Sequence, residues 1–196
     1  FLLQAEHPLA FSASLAFEQS YGGIDGDSAS GAEVVCLLSA LTGIPISQGI
    51  AMTGAIDQHG HIEAIGGVNE KVEGFFDSCN HFGLTGDQGV IIPKSNQGDL
   101  MLRPDIVEAC RDGKFHVYAV TTIFDAIEIA TGVPAGSQGG DYEEGTVLAR
   151  AVQKAREYWE KTLASPTRVT RLTARNNVEV ESGETDAQID GEVELG

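Results

Sequence analysis

Between residues 49 and 131, short apolar runs alternate with segments whose apolar side chains recur every three to four positions, and this alternation limits what the chain can fold into. Residues 49–56 (Gly-Ile-Ala-Met-Thr-Gly-Ala-Ile) read as a buried strand, 57–61 as a hairpin turn and 62–65 as the returning strand. Gly66-Gly67 breaks that strand. A helix follows, capped by Asn69 or the residue before it and running to about His81, with Val68, Val72, Phe75, Phe76, Cys79 and Phe82 along its apolar side. Residues 89–93 form a short buried strand, 99–111 a helix, 116–120 a strand and 123–131 a helix, closed by Gly132-Val133-Pro134. Upstream, 8–17 alternates in the manner of a strand and 21–26 is a glycine-rich loop. Val34, Leu37, Leu38 and Leu41 mark a first helix, which Gly43 and Pro45 stop. Strands interleaved with helices imply an α/β class. The hairpin makes it an α+β-type mixed sheet with flanking helices rather than a purely parallel one.

The chain of 196 residues is long enough for one domain with a real core plus an appendage. Its 12 basic and 29 acidic residues give a net charge of −17, which argues against binding nucleic acid or an anionic membrane. No run is long enough to span a bilayer. The three cysteines form no C-x-x-C pair; Cys36 and Cys79 read as small buried hydrophobes, in keeping with a reducing, cytoplasmic setting. The composition divides the chain into a folded domain over 1–132, a flexible linker at 133–140, a helix of mixed charge over 141–164 and an acidic, disordered tail at 165–196. Starting at Phe1 inside an apolar stretch, the sequence reads as a piece of a longer polypeptide.

The chemistry centres on the turn Gly26-Asp27-Ser28-Ala29-Ser30-Gly31, which leads straight into the first helix. Asp27 and Ser28 are good N-cap residues, so the turn is expected to set a serine hydroxyl at a helix start, where free N–H groups and the dipole favour an oxyanion. A serine nucleophile needs a base, and Lys71 is the only lysine or arginine in the first 93 residues. It falls in the first turn of its helix, where the dipole disfavours a cation, and at the edge of the apolar stripe. The bland reading makes Ser28 a helix cap and Lys71 a solvated surface residue. Partial burial and the helix end favour a neutral amine instead, one able to take the Ser28 proton.

Three other readings are weaker. Gly26-x-Ser28-x-Ser30 nearly matches a G-x-S-x-G elbow, but its last glycine comes one place late, and His81 and His116 stand in no distinctive setting. A phosphate cradle lacks a Walker motif. His59-Gly60-His61 with Asp57 and Glu63 reads as a solvated turn rather than a metal site.

Four motifs, Gly26-Asp27-Ser28-Ala29-Ser30, Met52-Thr53-Gly54, Ile65-Gly66-Gly67-Val68-Asn69-Glu70-Lys71 and Val90-Ile91-Ile92-Pro93-Lys94, together resemble the proteolytic domain of Lon proteases, and most closely its LonB-like branch. The resemblance covers most of residues 5–132. It implies a compact fold related to domain 2 of ribosomal protein S5, with Ser28 as nucleophile and Lys71 as base. It also implies supporting roles for Thr53, which would orient the lysine, and for Asp27 and Gly26. The partners it implies are unfolded protein substrates, an AAA+ ATPase domain of the same full-length protein and five further copies in a homo-hexamer. It implies no cofactor in this chain, ATP and magnesium belonging to the ATPase part. The alternative is a non-catalytic assembly domain that keeps the fold and the ring contacts.

Overall fold

The computed structural model of the chain describes residues 8–16, 26–137 and 142–164. Contacts divide the chain into two units, 1–159 and 160–196, and of the second only 160–164 are described. The expected acidic tail at 165–196 and most of the 21–26 loop lie outside the described residues.

Three strands make the main sheet. Gly89–Pro93 (β4) lies at its centre, paired in parallel with Ile50–Met52 (β1) on one side and His116–Val120 (β5) on the other. All five residues of β4 are buried, as a strand covered on both faces must be. Its side chains alternate between two cores. Ile91 joins one core with Val35, Leu38, Ile123 and Ile127, so Ser30–Thr42 (α1) and Ile123–Thr131 (α4) cover that face. Val90 and Ile92 join the other with Val72, Phe76, Ile106 and Phe115, so Val68–Phe82 (α2) and Pro104–Arg111 (α3) cover the opposite face. The hairpin is present as Ala55–Ile56 (β2) antiparallel to Ile62–Glu63 (β3). Ile62 N–H donates to Thr121 O and Ile123 N–H to Gly60 O, which ties the hairpin tip to the start of α4.

Several sequence expectations change. The run 49–56 is not one strand: Thr53 and Gly54 interrupt it, and the chain leaves β1 to start the hairpin. Residues 8–16 adopt no strand, because alternation alone does not supply a partner ladder. The helix expected at 99–111 starts at Pro104. Arg103, held extended before the proline, cannot continue a helix, and 3₁₀ geometry over Lys94–Asp99 takes the upstream stretch. Gly67, at a left-handed φ of 68°, occupies the α2 cap rather than Asn69. Cys36 is exposed, because the buried stripe of α1 runs through Gly31, Val35, Leu38 and Thr42, one position away from the expected one. The C-terminal helix, Val147–Ala164 (α5), starts later than expected, and its first turns put Val147, Leu148 and Ala151 into the α1/α4 core. The start of the segment read as a linker is anchored. Ala135 is fully buried, its N–H donates to Glu128 Oε1 at 3.1 Å, and its carbonyl accepts Leu148 N–H at 3.0 Å.

Candidate active site

Helices α1 and α2 lie on opposite faces of the sheet, yet their beginnings converge beyond the carboxyl end of edge strand β1. That is where open α/β sheets place their functional crevices. β1 runs to Met52, and Thr53 carries its ladder one step further by donating its N–H to Ile91 O at 3.0 Å. Gly54 then turns the chain, and its N–H donates to Ser28 O at 2.8 Å. The Thr53 hydroxyl donates to the same carbonyl at 3.2 Å. Ser28 is thus pinned by its backbone to the strand end, with its side chain left over for other contacts.

That side chain meets Lys71. Lys71 Nζ lies 2.9 Å from Ser28 Oγ, across 43 residues of sequence, and 3.3 Å from Thr53 Oγ1. The Thr53 hydroxyl has one proton, already given to Ser28 O, so toward Lys71 it can only accept. The amine must therefore direct an N–H at Thr53, which fixes how it faces Ser28. Thr53 is only 7% exposed and Ser28 is half-buried, while Lys71 as a whole is exposed. The partial burial expected of the lysine is absent, and hydrogen bonds hold its amine instead.

Ser28 is not the helix cap. Ala29 takes that position without a side-chain bond, and Ser28 stands two residues before the first residue of α1. The Ser30 hydroxyl, which a local reading would assign to capping, accepts Ile56 N–H at 3.0 Å and joins α1 to β2. Asp27 is exposed and uses its backbone, whose carbonyl accepts Ser30 N–H at 2.9 Å; the partners of the Lys71 side chain among the described residues are Ser28 and Thr53. Gly26, at a φ of 89°, leads into the turn, and a Cβ placed on it would meet nothing within 4 Å.

The histidines needed by the elbow alternative lie elsewhere. His81 is ten residues beyond Lys71 on α2, roughly 15 Å along the axis. His116 pairs with Gly89 at the other end of the sheet, and its Nε2 contacts Gly86 O at 2.8 Å. In the 57–61 turn, Asp57 accepts the N–H groups of His59 and His61 at 2.8 Å and contacts His61 Nδ1 at 2.9 Å. Those bonds hold its carboxyl down at about 2, the His61 side chain contributing most. Among the described residues, no group of three or more His, Cys, Asp or Glu is set to hold a metal ion.

Two asparagines make contacts that the sequence reading did not foresee. Asn96, buried at 4% exposure, receives Ile65 N–H on Oδ1 at 2.9 Å and donates Nδ2 to Ile65 O at 3.1 Å and to Asp99 Oδ2 at 3.0 Å. Asn69, read as a cap, instead bonds Asp99 O at 3.0 Å and Met101 N–H at 2.7 Å. These ties join segments some thirty positions apart, and no local pattern announces them.

The sheet order, the hairpin and the flanking helices are those of a mixed α/β domain, as the resemblance to the Lon proteolytic domain implies. The chain belongs to the family of the Lon protease (S16) C-terminal proteolytic domain, whose model matches residues 22–133. The chain is 44% identical over 155 residues to a putative Lon protease homolog of Escherichia coli (strain K12), an alignment that covers 79% of this chain and 26% of that protein. It is 48% identical over 154 residues to a putative Lon protease homolog of Haemophilus influenzae, covering 78% of this chain and 26% of the relative. Against an archaeal Lon protease of Thermococcus kodakarensis it is 40% identical over 114 residues, 58% of this chain and 16% of the relative, which supports the LonB-like branch. The chain thus spans about a quarter of the length of the two bacterial relatives.

Proposed function

We propose that this chain is the serine endopeptidase part of a larger protein, with Ser28 as nucleophile and Lys71 as its general base. The observation that carries the proposal is the 2.9 Å contact between Lys71 Nζ and Ser28 Oγ, with Thr53 as the second partner of the amine. In attack, the neutral amine takes the hydroxyl proton as Oγ bonds to the scissile carbonyl carbon, and the carbonyl π electrons move onto oxygen. The N–H groups of Ser30 and Gly31 are already given to Asp27 O and Gly54 O, so the oxyanion would be met by those of Ser28 and Ala29. The C–N bond then breaks and the Lys71 ammonium returns its proton to the leaving amine. Water hydrolyses the acyl-serine, giving a proton to Lys71 as it attacks, and that proton goes back to Ser28 Oγ as the C–O bond breaks.

The reaction uses side chains of this chain alone. Unfolded polypeptide is the substrate we propose, bound as an added strand beside the turn. An AAA+ ATPase part would deliver it using ATP, within a cytoplasmic homo-hexamer. A purely structural role would leave the Ser28–Lys71 contact without a purpose. The test is cleavage of an unfolded protein by the full-length wild type, Ser28→Ala and Lys71→Ala. Loss of turnover is expected in the first variant, and a fall in kcat of roughly 10²–10⁴-fold in the second. Cleavage at the wild-type rate by both would discard the dyad.

A further inference from the structure

We infer that Asn96 is a positioning residue that sets the reach of Lys71 toward Ser28, an inference that rests on the proposed roles of those two residues. The path to Lys71 is a weak point of the fold. β3 ends at Glu63, and the chain then crosses Ala64, Ile65, Gly66 and Gly67 before α2 starts at Val68. Ala64, Gly66 and Gly67 are exposed, and two adjacent glycines give this stretch more backbone freedom than any other residue pair would. Lys71 is the first residue of α2 whose N–H closes a helical bond, to Gly67 O at 3.1 Å. Any drift of the 64–67 segment is therefore passed directly to the amine.

Asn96 removes that drift. Its amide group engages both the N–H and the C=O of Ile65, as a neighbouring strand would, and does so from a buried position. Its remaining amide proton goes to Asp99 Oδ2. The segment that carries Asn96 follows directly from β4, whose Ile91 carbonyl receives the N–H of Thr53. One continuous piece of chain, β4 and the turn after it, thus fixes both halves of the site: Thr53 and with it Ser28 through Ile91, and α2 with Lys71 through Asn96. Asn69 adds a second tie from α2 to the same turn, through Asp99 O and Met101 N–H. A buried asparagine with all its polar atoms used on the loop leading to the base costs desolvation that a hydrophobic residue there would avoid. Holding geometry is what such a residue supplies.

The prediction concerns kcat rather than binding, since Asn96 touches Ile65 and Asp99 and neither Ser28 nor Lys71. In the full-length protein, Asn96→Ala should lower kcat for an unfolded substrate at least tenfold and leave KM within twofold. Asn96→Asp keeps the acceptor for Ile65 N–H but sets a carboxylate oxygen against both Ile65 O and Asp99, so it should be impaired as well. Adding Asp99→Asn to it restores a donor between positions 96 and 99 but none for Ile65 O, so the double variant should stay impaired. Leu148→Ala, a core truncation away from this clamp, controls for general softening and should lower the melting temperature without lowering kcat below it. A folded Asn96→Ala with kcat within twofold of wild type would overturn the inference. So would a change confined to KM, a loss of kcat matched by Leu148→Ala, or recovery of the wild-type kcat in the double variant. If Asn96→Ala does not fold, the aspartate pair carries the test alone. Should wild type and Ser28→Ala cleave equally, the dyad fails rather than the clamp. A crystal structure of Asn96→Ala still decides the clamp: Nζ–Oγ well beyond 2.9 Å supports it, and an unchanged distance overturns it.

Discussion

Gly31 and Gly54 meet backbone to backbone: Gly31 N–H donates to Gly54 O at 3.1 Å, which draws the first turn of α1 against the end of β1. A methyl group on Gly31 would come within 3.0 Å of that oxygen and 2.6 Å of Met52 Cε. The methionine end can swing aside, but the backbone oxygen cannot. Gly54 N–H in turn holds Ser28 O, so the same contact governs where the serine sits. Gly31→Ala should therefore cost about 1–3 kcal/mol of stability through overpacking. It should also lower peptidase activity at temperatures where the variant is fully folded. Urea unfolding monitored beside a cleavage assay separates the two effects, and an unchanged unfolding midpoint would remove the steric argument.

Thr53 has a role distinct from packing. Its hydroxyl links Ser28 O to Lys71 Nζ at 3.2 and 3.3 Å. Thr53→Val keeps the shape and removes the link. Ser28 O retains Gly54 N–H, so the loss of stability should stay near 1 kcal/mol. The amine, freed of one partner, should lose about tenfold in kcat, a fraction of what the base itself contributes. Thr53→Ser keeps the hydroxyl and should retain most of the activity. Equal kcat in the valine and serine variants would show that the hydroxyl does nothing for the lysine.

The 57–61 turn predicts an acid-side dependence. Asp57 titrates at about 2 in the fold, below its ordinary 3.8, chiefly because His61 bonds its carboxylate. A carboxyl depressed by folding adds stability that is fully present above about 4 and is lost as pH falls through 4 toward 2. Asp77 and Asp105, both lowered by Arg103, work in the same direction. Asp57→Asn should therefore leave stability less steeply dependent on pH between 4 and 2, without abolishing the dependence. Chemical denaturation at pH 5, 4 and 3 for wild type and variant measures it, and identical slopes would exclude Asp57 as a contributor.

What the sequence made legible was local. The bounds of β4, β5 and α4 follow from short apolar runs and 3.6-residue spacing between glycines, and the 57–61 turn from its own residue types. Ser28 and Lys71 stood out by motif and by the scarcity of basic residues, although the reason expected for the lysine's state, partial burial, does not hold. What stayed hidden depends on partners far along the chain. Residues 8–16 alternate like a strand, but only a neighbouring strand could make them one. Asn96 looks like any loop asparagine until Ile65, 31 positions away, is brought against it.

Phe76 and Phe82 show the same limit in a form that can be measured. Both belong to the apolar pattern of α2, six residues apart, and periodicity alone assigned both to the buried side. Phe76 is 3% exposed and packs edge-on against Phe115 with ring centroids 5.1 Å apart, whereas Phe82, in the last turn, is 88% exposed. Among the described residues Phe82 joins neither core and meets the ring of His81 instead. Phe76→Ala should cost about 3–5 kcal/mol, from lost transfer energy and the cavity left behind. Phe82→Ser should change stability by no more than about 0.5 kcal/mol. Denaturant titrations of the two variants give the comparison directly. A cost at Phe82 approaching that at Phe76 would mean that a surface open in this chain is covered in solution.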